Sequence, residues 1–172
     1  MTDAARIRPI RPDEHDAVAD LTVRAYRARF EDLGDYEGVL RRVGHRASRG
    51  TVLVAVMAGQ LVGTVTYVRG PGPYAEGDDP DAAWIRMLAV APEQQGRGLG
   101  RALTIACIER ARADGRRRIA LHTGDTQLAA QRIYAGLGFV RRPALDELVD
   151  DEFWLRGWVL ELEEEEEAQP RS

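Results

Sequence analysis

The sequence predicts one α/β domain built on a single mixed sheet, twisted and largely antiparallel, of about six to seven strands flanked by helices. Three observations carry this expectation. Two adjacent β-branched runs, residues 51–57 (TVLVAVM) and 61–68 (LVGTVTYV), are split by Ala58-Gly59-Gln60 and read as a hairpin. Helical patterns alternate with further apolar runs, giving the order β-α-α-β-β-β-α-β-α-β-β. The chain has 172 residues, enough for one domain with a real core and short for two.

The elements follow in order. Residues 5–10 alternate loosely and read as the first strand. Pro12-Asp13-Glu14 opens a helix, with Asp13 as its N-cap and Pro12 just outside. Val18, Leu21, Ala25 and Phe30 give that helix an apolar face. A second helical stretch covers roughly 36–48 and ends at Gly50. After the hairpin comes a loop rich in Gly, Pro and acid, residues 70–82 (GPGPYAEGDDPDA), and then a strand, residues 84–90 (WIRMLAV). A long helix over 99–113 ends at Asp114-Gly115. Residues 118–122 are a strand, and 126–137 a helix closed by Gly138 in the left-handed conformation. Phe139-Val140 starts another strand, and 153–162 is the last. Residues 1–162 thus form the domain, and 163–172 an acidic tail expected to be disordered.

Composition narrows the function classes. Hydrophobic residues are 44% and charged residues 30%, the usual balance of a globular protein. The apolar runs are too short to span a bilayer, and the first ten residues lack a signal-peptide core, so a cytoplasmic protein without membrane association is expected. The net charge of −4 comes from the run Glu161 to Glu167; the body is close to neutral, which argues against nucleic-acid binding. All 24 strongly basic residues are arginine. The single Cys107 excludes an internal disulfide framework, and no metal-ligand cluster is apparent.

The most informative stretch is QQGRGLGRAL, residues 94–103. Glycine weakens a helix, so three of them at a helix start need a local reason. The first turn of a helix has free N–H groups and a positive dipole end, and glycines let an anion approach that backbone. Arg97 and Arg101 add charge at the same mouth. A dinucleotide fingerprint needs GxGxxG after a first strand and an acid about 20 residues on, which is not found. A P-loop needs a lysine, and the chain has none. A tight turn without any ligand is the remaining alternative.

In context, Leu88-Ala89-Val90-Ala91-Pro92-Glu93 followed by Gln95-Gly96-Arg97-Gly98-Leu99-Gly100 resembles the pyrophosphate signature of GNAT-type N-acetyltransferases. Ile133-Tyr134-Ala135-Gly136-Leu137-Gly138-Phe139 resembles that family's second motif, and Ile7-Arg8-Pro9 its opening. The resemblance covers nearly the whole chain. It implies the acyl-CoA N-acyltransferase fold, acetyl-CoA as donor, and direct attack of a primary amine on the thioester. It further implies that backbone groups of Leu88, Ala89 and Val90 meet the pantetheine arm. The segment Gln95, Gly96, Arg97, Gly98, Leu99, Gly100 and Arg101 would hold the pyrophosphate, and Thr126 would stand where relatives carry an asparagine near the cofactor. Tyr134 would protonate the departing thiolate, since a phenol keeps its proton at neutral pH.

The family's usual strand glutamate is missing, as Arg86 is the one charged residue of 84–90. Candidate bases are Glu76, Asp78, Asp79 and Asp81 in the preceding loop, His122 at a strand end, or water. His15 and His45 read as surface residues, and Cys107 as a buried structural thiol. The acids of the 70–82 and 143–158 segments tilt the expected acceptor toward a cationic amine, either a small molecule or a peptide or protein amine. A non-catalytic acyl-CoA sensor of the same fold is the rival reading. Pairing of the final strands across subunits makes a homodimer a further expectation.

Overall fold

The computed structural model describes residues 4–163, so the tail expected at 163–172 lies, beyond its first residue, outside the described residues. The elements are β1 (Arg6–Pro9), α1 (His15–Arg27), α2 (Tyr36–Arg41), α3 (Val43–Arg49), β2 (Thr51–Met57), β3 (Gln60–Val68), β4 (Ala82–Val90), α4 (Leu99–Ala113), β5 (Arg118–Gly124), α5 (Leu128–Gly136), β6 (Val140–Arg141), β7 (Glu147–Val149) and β8 (Phe153–Glu161). Short 3₁₀ turns precede α1, follow β4 and precede β7. The strands form one sheet in the order β1-β2-β3-β4-β5-β8-β6, with β7 also on β8. β4 and β5 are parallel; every other pair is antiparallel.

Both faces of the sheet are covered, which is why β2 and β3 read as continuous apolar runs. On β2, Leu53 and Ala55 join Leu99, Leu103 and Cys107 of α4 in one core. Val52 and Val54 point the other way, to Val18 and Ala19 of α1 and Val43 of α3. A third cluster puts Trp84, Met87 and Ala120 of the sheet against Val23 of α1 and Leu40 of α2.

Four local expectations change. Asp13 is not the helix N-cap; α1 is preceded by a 3₁₀ turn over Pro12–Glu14, and Glu14 flanks the helix. The Glu14 carboxylate takes the Arg8 guanidinium at 2.6 and 2.9 Å and the Arg11 N–H at 2.9 Å. The Arg8 pairing, against the cost of burial and with help from the Arg11 N–H, pulls its pKa down to about 2. The helical stretch at 36–48 is two helices, broken at Arg42 with ψ 52°. Arg46 stabilises the break by donating to the carbonyls of Val39 and Leu40 freed at the end of α2. The helix expected from Thr126 starts at Leu128. A short strand, β7, was not anticipated; three residues join it to β8, and the first two, Asp150 and Asp151, have φ 51° and 55°, a left-handed conformation in which Gly or Asn is more usual.

One irregularity shapes the site. Thr64 of β3 pairs with Ala89 of β4, but Thr66 pairs with Arg86. Two β4 residues, Met87 and Leu88, therefore stand opposite Val65 alone. Met87 adopts φ 53°, a left-handed conformation that costs an ordinary side chain about 1–3 kcal/mol. Such bulges bend a strand and end its pairing on one side. β4 pairs with β5 only through Ala82, Ala83 and Trp84, and beyond that the two strands diverge.

Candidate active site

The divergence leaves a free strand edge on β4. The Ala91 N–H bonds to Val62 O of β3 at 2.9 Å, so alternation turns the groups of Ala89 toward β3 as well. The backbone groups of Leu88 and Val90 then face the cleft. The Leu88 carbonyl is in fact met from that side, by Nη2 of Arg29 at 3.3 Å.

The glycines lie where this edge runs into α4. Gly96 and Gly98 both have φ 78°, and Gly98 is the N-cap residue of α4. A Cβ at either would meet no protein atom within 4 Å. The first backbone bond into α4 runs from the Ala102 N–H to Gly98 O, at 3.0 Å. Among the described residues, the N–H groups of 96–101 have no backbone acceptor. Arg97 and Arg101, both exposed, flank this stretch at the start of α4. Gly100 sits between elements instead, its Cβ position 3.7 Å from Ile133 of α5 and 3.9 Å from Leu88 of β4. Tyr134 follows Ile133 on α5. Tyr134 is 5% exposed and its ring lies 5.7 Å from that of Phe139. Burial raises its pKa above the ordinary phenol value, while the charge of Arg29 opposes the rise.

On the opposite face of the sheet the 70–82 loop is tied down. Tyr74 hydrogen-bonds His45 Nδ1 through its hydroxyl at 2.6 Å and accepts from Arg86 through its carbonyl at 3.0 Å. Glu76 pairs with Arg86 Nε at 3.1 Å and with Nδ1 of His122. The other ring nitrogen of His122 donates to Leu145 O at 2.6 Å. Both partners are acceptors, so both ring nitrogens carry protons and His122 has no lone pair for a base. Burial disfavours its charge, but Glu76 and the Leu145 carbonyl outweigh burial and raise its pKa.

A family model for the GNAT acetyltransferases matches residues 15–139. The chain belongs to the GNAT acetyltransferase family. Among curated relatives, the mycothiol acetyltransferase of Thermobispora bispora is 40% identical over 67 residues, 39% of this chain and 23% of that protein. The protein of the same name from Kocuria rhizophila is 42% identical over 65 residues, 38% and 22% of the two chains. The chain matches less than a quarter of the length of these relatives. The fold is also that of the ribosomal-protein-alanine N-acetyltransferase of Brucella melitensis, with TM-score 0.71 and 23% identity over 91% of this chain and 99% of that one. A GNAT family acetyltransferase of the same organism, solved with acetyl-CoA, gives 0.66 and 19% over 94% and 90%.

In this GNAT family member not every residue singled out by sequence lies at the cleft. Ala89 is buried and turned to β3. Leu99 has its side chain in the core, leaving only backbone to offer. The Gln95 N–H leans back to Pro92 O at 3.5 Å. Thr126 is exposed in the turn before α5 and does not cap it; Gln127 precedes the helix, and its Oε1 accepts the Gly124 N–H at 3.1 Å. Asp79 is bound to Arg118, so it is not a free base. His45 is held by Tyr74 where simple solvation was expected. Cys107 is buried and its thiol is pushed up to about 12, which fits a structural residue. Among the described residues no group of three or more metal-ligating side chains occurs, and no helix is long and apolar enough to cross a membrane. Sequence reasoning missed Arg29 and the Met87 bulge.

The Glu76–His122 link has a pH signature. A raised histidine pKa adds stability that is fully present below the unfolded value, near 6.5, and is lost as pH rises through the folded value. Thermal melts of the wild type should therefore fall over that window. Glu76→Gln should flatten the slope and destabilise by about 3 kcal/mol, because it strands Arg86 and His122 without their shared carboxylate. An unchanged slope in the variant would show that His122 does not depend on Glu76.

Proposed function

We propose that this acetyltransferase moves an acetyl group from acetyl-CoA to the nitrogen of a primary amine by direct attack. The observation that carries the reading is the open, left-handed Gly96 and Gly98 at the start of α4, just after the end of β4 that has parted from β5. The site fits an acyl-CoA. The N–H groups of 96–101, with Arg97 and Arg101, would hold the pyrophosphate. Leu88 and Val90 would meet the pantetheine amides as a neighbouring strand does. Acetyl-CoA supplies an activated acyl carbon with a thiolate as leaving group.

The chain's own residues account for the rest. The Leu88 N–H faces the cleft and is positioned to donate to an oxygen on which charge develops. Tyr134 holds a proton at its hydroxyl for the sulfur. As the new C–N bond forms and the C–S bond breaks, the amine's surplus proton passes to water, since Glu76 and His122 are committed to each other. Calorimetric titration with acetyl-CoA, followed by thiol release with a panel of amines, tests the reading. Binding with amine-dependent release supports it. Binding with no release from any amine favours an acyl-CoA sensor.

A further inference from the structure

We propose that the acceptor is an amine with a carboxylate close by, an amino-acid-like molecule, and that Arg29 receives the carboxylate. The inference rests on the acetyltransferase reading and names its substrate class.

Arg29 lies just past α1 and is fixed across the cleft mouth. Its Nε turns back to Ala25 O at 3.5 Å, its guanidinium lies 5.0 Å over the Tyr26 ring, and Nη2 reaches Leu88 O at 3.3 Å. Among the described residues no carboxylate touches it. Its neighbours differ: Arg24 is on Glu93, Arg27 on Glu37, Arg41 on Asp20 and Glu37, and Arg86 on Glu76. A guanidinium offers a planar fork that suits two carboxylate oxygens, and one carbonyl at 3.3 Å leaves most of that fork unused.

The surroundings point the same way. Arg46 is 1% exposed and bonds only to backbone carbonyls, and its Nε has no partner. It lies among Tyr74, Tyr26, Tyr36 and Arg86. Arg29, Arg46 and Arg86 thus share the neighbourhood of Tyr26. Among the described residues, the one carboxylate hydrogen-bonded to any of them is that of Glu76. Two of the loop acids are already committed, Asp79 to Arg118 and Asp146 to Arg141 and Arg156. The cations around Tyr26 suit an acceptor that brings negative charge. On the proposed reading the attacking nitrogen works at Leu88. Arg29 touches the Leu88 carbonyl, so the carboxylate it receives would lie close to that nitrogen.

The test measures thiol release by the full chain at saturating acetyl-CoA, with each amino acid set against its own carboxamide. The acid should exceed the amide in kcat/KM by about tenfold or more. Arg29→Gln should bring that ratio toward one by raising KM for the acid, with acetyl-CoA affinity unchanged, and Arg29→Lys should recover part of it. Amides that match or exceed the acids overturn the inference and leave the acetyltransferase reading standing. So does a variant that lowers kcat equally for acids and amides, because Arg29 would then act on the reacting thioester. Absence of release from every amine overturns both readings together.

Discussion

Replacing Gly98 with valine is expected to abolish acetyl-CoA binding in a chain that still folds. At φ 78° the position belongs to the left-handed region, where a side chain costs about 1–2 kcal/mol. That strain lowers stability and does not itself block a ligand. The loss of binding comes from space: the protein has no atom within 4 Å of a Cβ at Gly98, so the added methyls would stand where the pyrophosphate is proposed to lie. A loss of more than about 100-fold in affinity, close to 3 kcal/mol, is expected by calorimetry. Gly59 separates the two effects. It has φ 75° and the same empty surroundings, but lies in the β2–β3 turn and not in the loop that leads into α4. Gly59→Val should lower the melting temperature comparably and leave acetyl-CoA affinity unaltered. Equal affinity in the Gly98 variant would mean that the glycines serve the turn alone.

The contrast between these two glycines shows what a sequence can carry. Gly59 was legible because Ala58-Gly59 falls between two β-branched runs, and Gly98 because a glycine series precedes an apolar helix. Both are local signals, and the strands and helices they punctuate lie close to their expected bounds. The cleft itself depends on a bulge at Met87, and methionine carries no mark of a left-handed backbone. The parting of β4 from β5 is likewise a matter of register, which only the assembled sheet decides. Glu76 and His122 stand 46 positions apart, and nothing in either neighbourhood announces the other. Arg29 was hidden for a different reason. An arginine just past a helix reads as a solvated charge, and its place shows only when it is found at the Leu88 carbonyl with no carboxylate partner among the described residues.

Tyr134→Phe is expected to lower kcat by about 100-fold or more while leaving the acetyl-CoA Kd unchanged, as loss of a general acid does. The ring should stay in place. Phenylalanine keeps the packing on Phe139, and no described residue hydrogen-bonds the hydroxyl, so its removal leaves no buried partner unsatisfied. The change in stability should stay below about 1 kcal/mol. The pH profile sharpens the test. Burial holds the Tyr134 pKa above that of a free phenol, so the proton remains on the oxygen throughout the neutral and mildly alkaline range. The wild-type rate should therefore rise with pH as the amine deprotonates, with no falling limb from Tyr134 below about pH 10. A raised pKa also makes the phenol a reluctant donor to a thiolate. Single-turnover rates of the two proteins decide the matter: a large difference keeps Tyr134 as the acid, and equal rates would make water the proton source for the departing sulfur.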